Sequence, residues 1–157
     1  MEEQTTEDRY EKIRKKYLLP TLEELNKDFG VELCIEDPIL PNIIEKIIDE
    51  IADNSKTLES LIFVNQSGSI SEFYERNMVK NREKLFESYK DLMKMYWKAR
   101  EIKIKSEERE MAEFIKKTHK KWDHEIKPLF IGLATEFNKK WDSMKLKNSE
   151  TNIKYYG

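Results

Sequence analysis

The stretch "EKLFESYKD" sets Glu83, Glu87 and Asp91 four residues apart, so three carboxylates share one face of any helix that carries them. Clustered carboxylates are what Mg²⁺ or Mn²⁺ needs to polarise a phosphodiester and activate a water. In that reading two of the three hold the ion, the third orients the water, and the row is the catalytic site of a metal-dependent nuclease or phosphodiesterase. The same residues have a plainer use. Lys80, Lys84, Lys90 and Lys94 lie within helical reach and can turn the row into a solvated, salt-bridged face.

A second group follows in "KKTHKKWDHEIK". Lys116, Lys117, Lys120, Lys121 and Lys127 concentrate positive charge around Trp122. Basic residues in two helical rows beside an aromatic suit a phosphate backbone, and so sequence-independent binding to nucleic acid, with duplex favoured. His119 and Asp123 share a face while His124 is displaced, a loose arrangement for a metal or an acid–base pair. No helix-turn-helix, zinc-finger or RNA-binding signature accompanies the cluster.

A third group is the loop of "SLIFVNQSGSISEF". Ser69 with Glu72 three residues on fits a capping box, which accounts for both residues by itself. The sharper reading makes Ser67, Gly68 and Ser69 an anion site, because free amides at a helix N-terminus attract phosphate. The Gly/Ser loop resembles that of nucleotidyltransferases, but no Asp-x-Asp pair follows to hold their metal. A Walker lysine is also missing, and a lone glycine falls short of a phosphate-cradling loop.

The elements that must position these groups are mostly helical. Thr5 or Thr6 can cap a first helix with Glu7 and Asp8 in its first turn. Pro20 restarts or kinks it, Leu22, Leu25 and Phe29 continue an apolar stripe, and Gly30 is a natural stop. "VELCIE" alternates with the period of a half-buried strand, and Cys34 within it reads as a buried, inert thiol. After the two-proline turn "DPILPN", Ile43, Ile44, Ile47, Ile48 and Ile51 share one helix face. "SLIFVN" then reads as a second strand. The expected fold is therefore α+β: a helical bundle with a small βαβ-like sheet from residues 31–36 and 60–65, the alternative being an all-α bundle. Leu85, Tyr89, Leu92 and Tyr96, with Tyr74 and Met78 before them, follow a 4-3 spacing that predicts bundle packing. Ser106 is the expected N-cap of a new helix and Pro128 the opening of a last one. Residues 1–146 form the expected domain, and 147–157 a polar tail.

The bulk composition fits this plan. In 157 residues, 38% are charged and 38% hydrophobic, with only four glycines and four prolines, which favours long helices. Abundant opposite charges, two glutamines and a single cysteine resemble the hyperthermophile trend toward ion-pair networks. That lone Cys34 excludes an intramolecular disulfide. The charged N-terminal stretch has no apolar core for a signal peptide, and no run approaches a membrane span, so an intracellular, cytoplasmic protein without membrane attachment is expected. Residues 1–69 hold 8 Lys/Arg against 16 Asp/Glu, net −8, and residues 70–157 hold 21 against 15, net +6. Such segregation fits a basic half facing a polyanion, or pairing within or between chains, a homo-oligomer included. The expectation is a nucleic-acid-binding protein with a basic C-terminal half, and a nuclease using Mg²⁺ or Mn²⁺ if the carboxylate row is catalytic. The alternative is a non-enzymatic helical module for protein–protein interaction or structure.

Overall fold

A computed structural model of the chain describes residues 5–34, 36, 38–63 and 81–143, and every regular element among them is helical. The first helix, α1 (Thr6–Tyr17), starts at the expected place: Thr5 Oγ1 accepts from the Asp8 amide at 3.2 Å while the Asp8 carboxylate accepts from Thr5. It stops at Leu18, which adopts a left-handed conformation, so Pro20 lies in a linker and not at a helix start. Thr21 and Glu24 form a second capping box for α2 (Leu22–Phe29), which Gly30 terminates with φ +62°, a backbone region where only glycine avoids a Cβ penalty.

No sheet occurs among the described residues, and the all-α alternative fits them. Residues 31–34 follow the predicted alternation, with Val31 buried and Glu32 exposed, but carry no regular secondary structure. Cys34 falls on the outward side of that alternation and is exposed, contrary to the buried thiol expected there. Residues 60–62 of the second supposed strand are the end of a helix, and 64–65 lie outside the described residues: α3 (Ile39–Ile62) runs unbroken through Asp53, Asn54 and Ser55. Two facts explain the misreading. Pro41 sits in the first turn, where its missing N–H leaves no bond unmade, so the two-proline stretch is a helix start. Asn54, Thr57 and Ser60 bond back to the carbonyls of Glu50, Asp53 and Thr57, so these polar residues stay inside the helix. Leu58, Leu61 and Ile62 then extend the stripe of Ile44, Ile47, Ile48 and Ile51 on the buried side.

Helix α4 (Arg82–Lys105) lies against α3 and contributes Leu85, Leu92, Ala99 and Ile102 to the core. Ser106 does mark the next break, but as the left-handed C-cap of α4, its Oγ donating to the Lys103 carbonyl; Glu107 opens α5 (Glu108–Lys121). There is no break at Pro128. A π-helical turn, Trp122–Ile126, joins α5 to α6 (Lys127–Ser143). A proline ring collides with the carbonyl four residues back, here that of His124, and the wider turn lets the helix continue past it. Met111, Phe114, Ile115, Trp122, Ile126 and Leu133 complete the core from this long composite rod. No helix among the described residues is long and apolar enough to cross a membrane.

Candidate functional site

The carboxylate row faces outward on the first half of α4, and two of its members, Glu87 and Asp91, are paired with separate lysines. Glu87 is bound by Lys90 at 2.7 Å, both exposed. Asp91 accepts from Lys121 of α5 at 2.9 Å, and that hydrogen bond holds the lysine's pKa above its ordinary value. Glu83 is exposed at the start of the helix. No group of three potential metal ligands occurs among the described residues. The arrangement matches the salt-bridged face that the same residues allowed.

The basic cluster is also drawn inward. Trp122 is buried and packs on Phe29, ring centroids 5.2 Å apart, so its faces serve the core. Lys127 donates to Asp28 of α2 at 2.8 Å, and its pKa is raised first by that bond. Lys121 holds Asp91, as above, with Glu125 at 3.7 Å. Lys116 reaches the Tyr17 carbonyl at 3.5 Å. Lys117 and Lys120 remain exposed. The histidines do not converge: His119 Nε2 lies 3.3 Å from Asp28 Oδ2, near enough for an ion pair but without hydrogen-bond alignment, while His124 Nδ1 is 2.8 Å from the Lys120 carbonyl. The expected anion site, Ser67, Gly68 and Ser69, lies outside the described residues, as does the 147–157 tail.

Asp28 shows where part of the charge segregation goes. Its carboxylate belongs to the acidic half and is only 7% exposed, yet it meets His119 and Lys127 from the basic half. Glu45 of α3 likewise binds Lys103 of α4, while a pair of the opposite sense joins Lys16 of α1 to Glu108 of α5 at 2.8 Å, with the Tyr17 hydroxyl donating to the same carboxylate. These contacts draw Glu108 below the usual carboxylate range. The halves therefore partly neutralise each other across the fold.

What the sequence reading missed is a second apolar stripe on α4. Phe86, Met93, Trp97 and Ile104 recur at i, i+7, i+11 and i+18, about 110° round the helix from Leu85, Leu92 and Ala99 at the helical step of ~100° per residue. The core-facing stripe dominated the reading because it holds the bundle; the outer one carries the same periodicity at a different phase. Trp97 is 64% exposed and Ile104 84%. Phe86, Tyr89, Met93 and Trp97 floor a groove of about 560 Å³ whose rim carries Lys90, Lys94, Lys98 and Glu101. Phe63, at the end of α3, closes one end edge-on against Phe86 and Tyr89, centroids 6.3 and 6.0 Å apart. Glu101 is held below the usual carboxylate range by hydrogen bonds from Lys105 and then Lys98.

A larger cleft of about 730 Å³ between α1 and α2 is lined by Glu7, Glu11 and Glu23 beside Lys27. Its one buried polar group, the Tyr10 hydroxyl, is committed to the Pro20 carbonyl at 2.6 Å, and burial pushes its pKa up. This cleft offers no set of converging donors. No protein-family model, curated protein or solved structure matches the chain, so its geometry alone carries the functional reading.

Proposed function

We propose that this chain is a non-enzymatic helical interaction module that receives a protein partner on the outer face of α4. The observation that carries this is the run Phe86, Trp97 and Ile104, large apolar side chains left in solvent with Met93 half-buried among them, on a helix whose other face already fills the core. Exposed apolar surface of this kind, rimmed by charge, marks interaction sites. Aromatic and methionine side chains are what binding surfaces enrich. Binding of duplex nucleic acid through Lys116, Lys117, Lys120, Lys121 and Lys127 is the rival proposal. It has less support because Lys121 and Lys127 already hold carboxylates and Trp122 is inside.

The test is selection of helical peptides from a random display library on the folded chain, with counter-selection on Trp97→Asp. Enriched peptides that need Trp97 support the module. Absence of enrichment, together with an electrophoretic shift on linear duplex that fades with salt, would replace it by the nucleic-acid reading.

A further inference from the structure

Resting on that reading, we infer that the partner of the α4 groove is an amphipathic helix whose apolar stripe is edged by carboxylates. The floor from Phe86 to Glu101 spans about 22 Å at ~1.5 Å per residue, the length of a partner helix of about four turns. The floor residues Phe86, Tyr89, Met93 and Trp97 recur at intervals of three, four and four, near enough to one face for a second helix to lie nearly alongside and set knobs between them. The rim then sets the partner's charge. Lys90, Lys94 and Lys98 stand four residues apart along one edge, against one carboxylate, Glu101, in the groove's own lining.

Lys94 has no ion pair among the described residues. Lys90 and Lys98 have only Glu87 and Glu101, at 2.7 and 3.2 Å, in exposed pairs within the helix. Exposed pairs of this kind contribute little, so carboxylates of a partner can compete for these lysines as the groove is covered.

A second copy of α4 is a poor occupant. An antiparallel pairing centred on Lys94, the middle of the groove, sets Lys94 against Lys94, Lys90 against Lys98 and Glu87 against Glu101. Every opposition is between like charges, which disfavours the pair. Single-stranded nucleic acid is disfavoured for a different reason. Base stacking needs free ring faces, whereas Lys90 lies over the Phe86 ring at 5.4 Å and Phe86 and Tyr89 are stacked at 6.5 Å. A helix bringing carboxylates four residues apart reverses each mismatch of the self-pairing at the lysines.

Two peptides of equal length and equal apolar stripe, one edged with Glu and the other with Lys, test this by calorimetric titration of the full chain at low ionic strength. The Glu-edged peptide is expected to bind at least about tenfold more tightly, with the advantage shrinking as salt screens the rim. Trp97→Ala is expected to weaken it about tenfold or more, and Lys94→Glu to reduce or reverse the preference, with circular dichroism confirming that both variants are folded. Equal binding of the two peptides would overturn the acidic partner and leave the docking surface standing. Binding of neither, or displacement of the Glu-edged peptide by an oligothymidylate strand that binds more tightly at the same residues, would overturn both.

Discussion

Truncating Leu92 and Trp97 to alanine, five residues apart on α4, separates a side chain that holds the fold from one that awaits a partner. Leu92 is fully buried between α4 and α3. Its replacement removes three carbons at ~0.8 kcal/mol each and leaves a cavity that the packed isoleucines of α3 close only in part, a cost of about 3–4 kcal/mol. Trp97 keeps 64% of its surface in water. At an upper area of about 250 Å² for the side chain, folding covers about 90 Å² of it, worth at most about 2 kcal/mol at 25 cal/mol/Å². The better helix propensity of alanine returns about 0.5 kcal/mol of that, and compactness of the unfolded chain trims the rest, leaving about 1 kcal/mol. Urea unfolding followed by circular dichroism measures both. For a chain of this length the same differences appear as a melting temperature lowered by about 6–16 °C for Leu92→Ala and about 2–4 °C for Trp97→Ala. If Trp97→Ala costs as much as Leu92→Ala, Trp97 is a core residue in solution and the groove is not a free surface.

Tyr10→Phe leaves the half-buried Pro20 carbonyl without its donor and should lower stability by about 1–2 kcal/mol in the same assay; an unchanged midpoint would mean that water replaces the hydroxyl. Lys127, whose pKa Asp28 raises above the ordinary lysine value of 10.5, contributes stability that is full below that value and is lost as pH rises through the raised one. An alkaline melting series should therefore show a larger loss in the parent chain than in Asp28→Asn, which keeps the paired lysines Lys16, Lys105 and Lys121, and identical alkaline profiles would remove the pair from the account. Cys34, being exposed, should react with an aromatic disulfide reagent in the folded chain nearly as fast as in urea; a rate limited by unfolding would bury it.

Local chemistry written into single residues was legible in the sequence. The Thr5 cap, the Gly30 stop and the break near Ser106 each follow from a side chain or φ preference that acts within one turn. The isoleucine face of α3 was equally clear, because five residues repeat one period. What escaped depends on tertiary context. Short apolar runs such as Val31–Leu33 and Leu61–Phe63 look alike to periodicity, and their states were decided by whether a partner strand or a continuing helix was available. What surrounds the candidate site residues was hidden for a related reason. A row of like charges is visible in sequence, but its neutralisation by Lys121 for Asp91, or by Asp28 for Lys127, comes from helices brought together across 30 and 99 residues. The outer stripe of α4 was present in the sequence too. It became distinguishable from core only once Leu85, Leu92 and Ala99 were seen to fill the interior without it.

Fluorine NMR of the chain labelled with 5-fluorotryptophan tests the α4 surface most directly, because its three tryptophans sit in three different settings. Trp97 lies in the groove, Trp122 is buried against Phe29, and Trp141 is exposed on α6. On titration with a Trp97-dependent peptide edged with glutamate, the Trp97 resonance should move and saturate while those of Trp122 and Trp141 stay in place. A saturating shift at Trp141 with Trp97 silent, or no shift at any of the three, would contradict a docking surface on α4.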